Sequence, residues 1–172
     1  MTEKPGKPQK LSKAHDRSRF ESGASELDDW LKKYSWQNMR AHNATTYVTT
    51  TGSGRVVGYY ALTVAGYQRL AAPEAIAKRA PEPVPCFLMA RLAVDIEWRR
   101  RGLGWGLLRD AMQRVLLLSQ SVAAPALLVH ARDEDARAFY CHHAEFLQSP
   151  VEPLHLFLPI TAIAARLQTK DR

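Results

Sequence analysis

The sequence predicts a mixed α/β fold. Three observations carry this expectation. Two runs rich in Thr, Val and Tyr flank Gly52-Ser53-Gly54, as in a β-hairpin. An apolar run from Phe87 to Val94 leads into a glycine-rich turn and then a helical pattern. The elements alternate in type, which excludes a helical bundle and a β-sandwich.

Taken in order, residues 1–10 are polar and Pro/Lys-rich and read as a flexible arm. This leaves 11–168 as a single domain. Ser25-Glu26-Leu27-Asp28 has the form of a helix N-cap with acidic first-turn residues. Leu27, Trp30, Leu31 and Tyr34 follow at helical spacing, and the helix is expected to reach about Arg40. Strands are expected over Thr45–Thr51 and Val56–Val64. Residues 65–85 carry four prolines and a short helix over Glu74–Arg79. Phe87–Val94 is the next strand. From Gly104 a helix places Leu107, Leu108, Ala111, Met112 and Val115 on one face. Ala126–His130 is a short strand. Asp133 caps a helix from Glu134 to about His143. Leu154–Leu158 is the last strand, and Ile160–Leu167 a terminal helix.

Composition sets limits. Of 172 residues, 46% are apolar and 24% charged, the balance of a soluble globular protein. That length can bury a core without metals or disulfides. Cys86 and Cys141 form no CxxC pair, so a reduced, cytoplasmic protein is expected. The residues after Met1 are not apolar, so no secretory signal is expected. No apolar run reaches membrane-spanning length, and no membrane association is expected. A net charge of +7 suits a polyanionic partner, although a basic surface without such a partner fits equally well.

The most informative segment is Arg99-Arg100-Arg101-Gly102-Leu103-Gly104-Trp105-Gly106 between a strand and a helix. Helix N-termini expose unpaired N–H groups that suit a phosphate. Gly102, Gly104 and Gly106 let the backbone approach one closely. The arginines add charge. Without Gly-Lys-Ser/Thr it is no triphosphate P-loop. Its position in the chain does not suit a dinucleotide fold.

Arg101-Gly102-Leu103-Gly104-Trp105-Gly106 resembles the Arg/Gln-x-x-Gly-x-Gly/Ala loop of the GNAT superfamily of N-acetyltransferases. Asp133-x-x-Ala136-x-x-Phe139-Tyr140 is similar to its Asn-x-x-Ala-x-x-Leu/Phe-Tyr segment, with Asp in place of Asn. The resemblance implies a mixed central sheet, splayed at the acetyl-CoA site and flanked by helices. It implies that Leu92, Ala93 and Val94 pair with the pantetheine arm. Arg99, Arg100, Arg101, Gly102, Gly104, Trp105 and Gly106 would hold the pyrophosphate. Asp133, Ala136 and Phe139 would complete the cofactor side, and Tyr140 would act as general acid. Its phenol, with an ordinary pKa of about 10, is protonated at neutral pH.

A narrower resemblance is to acetyltransferase toxins of bacterial toxin–antitoxin pairs. It rests on Phe20-Glu21-Ser22-Gly23, Leu27-Asp28-Asp29-Trp30-Leu31, Thr46-Tyr47-Val48 and Val57-Gly58-Tyr59-Tyr60-Ala61-Leu62. Ala90-Arg91-Leu92-Ala93-Val94-Asp95, the Arg/Gly loop, Leu107-Leu108-Arg109-Asp110-Ala111, Val129-His130-Ala131 and Ala138-Phe139-Tyr140 continue it in order. It implies acetylation of the α-amine of aminoacyl-tRNA, a block of translation, a ribbon-helix-helix antitoxin and a homodimer. Cys141-His142-His143-Ala144-Glu145-Phe146 departs from the pattern: it is one residue longer than usual and lacks a Gly before Phe. A metabolic or protein N-acetyltransferase acting on a small amine or lysine, and a non-catalytic acyl-CoA-binding module, are the alternatives.

The remaining chemistry is sparse. An aminoacyl α-amine is less basic than lysine and needs no strong base. Asp95 and Glu97 are either a base or loop caps. Cys141 adjoins His142 and His143, but neighbours on a helix diverge and no metal set has fitting spacing. Trp98 and Trp105 either stack on a ligand or pack beneath the loop. Lys32, Lys33, Arg40, Arg69, Lys78, Arg79 and Arg91 are candidate contacts to tRNA phosphates. Arg91 interrupts an apolar strand and is expected to face a cleft or pair with an acid.

Overall fold

The computed structural model describes residues 3–170. Strands β1 (Gln9–Lys10), β2 (Thr45–Thr50), β3 (Val56–Tyr67), β4 (Val84–Val94), β5 (Ala126–His130), β6 (Leu147–Gln148) and β7 (His155–Pro159) form one sheet in the order β1-β2-β3-β4-β5-β7-β6. β4 and β5 run parallel. The β1–β2, β2–β3, β5–β7 and β6–β7 pairs are antiparallel. The helices are α1 (Ser25–Asp29), α2 (Ser35–Arg40), α3 (Glu74–Ala77), α4 (Leu103–Leu118), α5 (Glu134–His143) and α6 (Ile160–Lys170). This is the mixed α/β class read from the sequence.

The chain divides into two compact units, 1–63 with 90–111, and 64–89 with 112–172. In the first, Phe20, Trp30, Leu31, Val48, Val56, Tyr59, Ala61 and Ala93 form the core. Tyr59 is its centre. Phe20 meets it edge-on at 5.5 Å, Trp30 stacks on it at 6.0 Å, and its hydroxyl donates to the Leu27 carbonyl at 2.7 Å. A buried phenol needs such an acceptor. On α4, Tyr60 donates to Asp110 at 2.6 Å.

The second unit packs Ala72, Ile76, Val84, Cys86, Ala126, Leu128 and Phe157 together. Burial pushes the Cys86 thiol up to about 11, so it is an inert core group. Ser149 is buried. It donates to the Ala71 carbonyl at 2.6 Å and accepts from the amides of Val151 and Glu152 at 3.1 and 3.0 Å.

Several elements differ from expectation. Gln9 and Lys10, read as part of a flexible arm, are strand β1, paired with Val48 and Tyr47. Gly6 also donates to Thr50 at 2.9 Å. An edge strand needs backbone groups rather than apolar side chains, so its polar composition hid it. Met1 and Thr2 of that arm lie outside the described residues. β3 runs three residues past Val64. β4 starts at Val84 rather than Phe87, admitting Pro85. The helix expected over Ser25–Arg40 is interrupted by a π-helical turn, Trp30–Tyr34. Its widened ring leaves the Leu31 carbonyl to side chains: Ser35 donates to it at 2.6 Å and Arg17 at 3.0 Å. The turn shifts the apolar phase, so Leu31 is buried while Tyr34 is 47% exposed. Ser25 is the first helical residue, not the cap. Ala24 holds the cap position, and Ser22 donates instead to Asp28 at 2.6 Å.

Candidate active site

The first unit holds the glycine loop. The β4–β5 ladder ends at Met89↔Val129, while β4 continues to Val94, so Leu92, Ala93 and Val94 lie past the ladder. Asp95 follows, 1% exposed. Its Oδ1 accepts from the Glu97 amide at 3.0 Å, and its Oδ2 from the Glu21 amide at 3.1 Å and from Arg55 at 3.4 Å. Glu97 accepts from Arg55 at 3.2 Å. Of the two readings of these acids, the structure shows capping and pairing. Asp95 ties the Glu21 segment to the end of β4, and the Ile96 amide donates back to Glu21 at 2.8 Å.

The three arginines do different things. Arg99 donates to the carbonyl of Ser22. Gly23 has φ +92, and a Cβ there would lie 2.9 Å from Arg99 Nη2. The Ser22-Gly23 turn therefore seats this guanidinium. Arg101 lies over Trp98 at 4.5 Å. Trp98 is buried, so it packs beneath the loop, and Trp105 is half-buried. Arg100, exposed, has φ 61, and Gly102 has φ +79. These two left-handed residues curl the backbone into the first turn of α4, where N–H groups gather. A Cβ on Gly102 or Gly106 would meet nothing within 4 Å. The cradle is open where an anion would sit, so its geometry fits a pyrophosphate. Gly104 is half-buried within the same turn.

The second unit holds Tyr140. Asp133 accepts from the Ala136 amide at 2.8 Å, which starts α5 as expected. Ala136 and Phe139 are half-buried on that helix. Tyr140 is 7% exposed, and burial alone drives its hydroxyl above the ordinary phenol range. Phe139 and Phe146 lie edge-on to its ring at 5.4 and 5.6 Å. The altered segment after Tyr140 thus still returns Phe146 to the tyrosine. α5 ends without a left-handed residue: Ala144 is extended, φ −154, and the missing Gly is not needed. Cys141 is exposed, and a 430 Å³ hollow runs from it past His142, His143 and Phe146 to Arg166. Among the described residues no three His, Cys, Asp or Glu groups could hold a metal.

The basic candidates are scattered within their units. Lys32 lines a 490 Å³ hollow with His15 and Arg17. Lys33 pairs with Asp29 at 3.5 Å. Arg40 is exposed at the end of α2. In the second unit, Arg69 leans to the Ala80 carbonyl at 3.5 Å, and Lys78 and Arg79 edge an apolar 790 Å³ groove. Arg91, expected to face a cleft or an acid, is half-buried and lies over Trp30 at 4.4 Å. Sequence reasoning passed over Ser22, Gly23 and Arg55 as parts of the loop. The Phe20-Glu21-Ser22-Gly23 segment was the available signal, but nothing local says that a glycine so far upstream touches Arg99.

A strand that outruns its parallel neighbour, followed by an open, glycine-lined helix N-terminus under arginines, defines an acyltransferase that binds a coenzyme A thioester. The chain belongs to the Acetyltransferase (GNAT) family, whose model matches residues 11–145. It is an acetyl-CoA-dependent acetyltransferase. It is 43% identical over 151 residues to the tRNA-acetylating toxin of Mycobacterium tuberculosis, covering 88% of this chain and 90% of that one. Among solved structures it is similar to AtaT complexed with acetyl-methionyl-tRNAfMet, with TM-score 0.84, 26% identity, and 93% and 98% of the two chains covered. It is also similar to AtaTR bound with AcCoA, with TM-score 0.78, 25% identity, and 93% and 96% covered. No helix among the described residues is long and apolar enough to cross a membrane.

Proposed function

We propose that this chain transfers acetyl from acetyl-CoA to the α-amine of aminoacyl-tRNA and so acts as a translation-blocking toxin. It works in the cytoplasm as a homodimer and is neutralised by a cognate ribbon-helix-helix antitoxin. The observation that carries the transfer is the open first turn of α4, where nothing stands within 4 Å of a Cβ built on Gly102 or Gly106 and a ligand can approach the backbone. The choice of acceptor is supported by likeness over nine-tenths of the chain to a relative named as a tRNA-acetylating toxin.

Arg100, Arg101, Gly102, Gly104, Trp105 and Gly106 hold the pyrophosphate, with Arg99 setting the loop from Ser22. Leu92, Ala93 and Val94 offer backbone N–H and C=O groups to the pantetheine arm. An N–H there meets the oxygen that becomes negative as the amine attacks. Tyr140, kept protonated by burial, donates to the departing sulfur. Asp133, Ala136 and Phe139 build the helix that presents it. Lys32, Lys33, Arg40, Arg69, Lys78, Arg79 and Arg91 contact tRNA phosphates, and residues 11–168 act as one catalytic domain.

Radiolabelled acetyl-CoA incubated with charged total tRNA tests the reading. Label is expected on the aminoacyl ester and on no uncharged tRNA. Absence of transfer by the wild-type protein overturns it, and equal transfer by Tyr140→Phe removes Tyr140 from its role. Unaffected growth on expression without a partner removes the toxin assignment.

A further inference from the structure

β5 ends in His130 and β7 begins with His155, and the two are a registered pair across antiparallel strands. Their rings stack, with centroids 4.0 Å apart and planes at 21°. Behind His155, its Nδ1 and the Tyr67 hydroxyl lie 2.8 Å apart. Tyr67 donates to Ser149 Oγ at 3.5 Å, and Ser149 donates to the Ala71 carbonyl at 2.6 Å. Ser149 Oγ also accepts from the Val151 and Glu152 amides, so the short contact of Tyr67 is the one to His155. That contact holds the His155 ring in place. Phe157 braces Tyr67 edge-on at 4.8 Å. His130 alone of the two imidazoles is exposed. It stands one residue past Val129, where the ladder with β4 stops.

An imidazole with one face held by a fixed partner and its edge open to solvent is built to exchange a proton at a constant position. We propose that His130 is the proton acceptor for the acceptor amine in acetyl transfer. The inference rests on the acetyl-transfer reading above. The amine nitrogen forms its bond to the acetyl carbonyl carbon, and the carbon–sulfur bond breaks. The sulfur takes the Tyr140 hydroxyl proton. The surplus proton on nitrogen passes to the free ring nitrogen of His130, giving imidazolium. Water then removes the proton from His130 and returns one to Tyr140, so amine and thioester become amide and thiol with nothing left over.

The surroundings favour the neutral ring. Loss of solvent on the stacked face, and then His155, hold His130 below the ordinary imidazole range. The titratable groups around it are His155 on β7 and, beyond that ring, Tyr67 on β3.

The test is kcat/KM for acetyl transfer to one aminoacyl-tRNA from pH 5 to 9, for wild type, His130→Gln and His155→Gln. The acceptor is common to all, so its own titration cancels. In wild type, activity is expected to rise through an acid limb below about 6.5. Relative to wild type, His130→Gln is expected to lose the imidazole's share of that limb and about 10²-fold in rate at pH 7. His155→Gln is expected to move the limb upward. A structural defect would lower every point alike and leave the profile's shape. An unchanged limb and rate in His130→Gln overturn the inference while the transfer reading stands. An inactive wild type overturns both. If His130→Gln does not fold, an unshifted limb in His155→Gln overturns the inference instead.

Discussion

Arg91 holds its guanidinium 4.4 Å over the indole of Trp30, and that indole stacks on Tyr59 at 6.0 Å and 11°. The cation on β4 thus sits on an aromatic column rather than against a carboxylate. Burial draws Arg91 below the ordinary guanidinium value, with the Tyr59 phenol opposing. Trp30→Ala removes the middle of the column and is expected to cost about 3–5 kcal/mol in urea unfolding. Arg91→Ala is expected to weaken all aminoacyl-tRNAs alike and to lower the slope of log K against log salt by about 1. An unchanged slope takes Arg91 out of the nucleic-acid footprint.

Gly102 and Gly106 separate conformation from access. At φ +79, Gly102→Ala strains the turn by about 1–2 kcal/mol as well as crowding the ligand. Gly106 lies in the helix without a left-handed φ, and an alanine there meets nothing within 4 Å. Gly106→Ala is expected to raise stability by up to about 1 kcal/mol while raising KM for acetyl-CoA severalfold. A higher Tm with an unaltered KM would mean that no ligand approaches this backbone.

Asp95→Ala distinguishes a strut from a base. It leaves the Glu21 and Glu97 amides unpaired and Arg55 short of a partner. A loss of about 2–4 kcal/mol in chemical unfolding is expected. Because the carboxylate is a strut, the folded enzyme should keep its pH–rate profile. A new acid limb or a lost one contradicts this.

Tyr140→Phe keeps the ring between Phe139 and Phe146 and removes only the hydroxyl. A fall of about 10²–10⁴-fold in kcat is expected, with KM for acetyl-CoA little changed. The raised phenol has a second consequence. The folded protein favours the neutral form, so this group's stabilisation is complete below about pH 10 and is lost as pH rises beyond it. For the same reason, Tyr140 imposes no alkaline fall in rate below about pH 10. An alkaline limb near 8, absent in Tyr140→Phe, would show that the hydroxyl ionises early and cannot be the donor described.

Periodicity exposed what is local. The α4 stripe from Leu107 to Val115 and the Asp133 cap read directly from spacing, because each depends on residues within a turn or two. The glycine run marked the tight turn into α4 for the same reason. What did not read is relational. β1 is polar because its bonds are backbone bonds. Gly23 matters only because Arg99 arrives there. His130 and His155 become one unit only through the β5–β7 register. The π-helical turn at Trp30 is invisible to a count of 3.6, since its spare residue is compensated by Arg17 and Ser35 from outside the turn.

That turn bears on which lengths of chain can be inherited here. Removing one residue between Trp30 and Tyr34 would restore an ordinary helix with better internal bonding. It would also swing everything before it by about 100° and carry Trp30 off Tyr59. Local economy and the aromatic column therefore select against each other. Descendants of this sequence should tolerate substitutions at exposed Lys32 and Lys33 far more readily than a single deletion beside them.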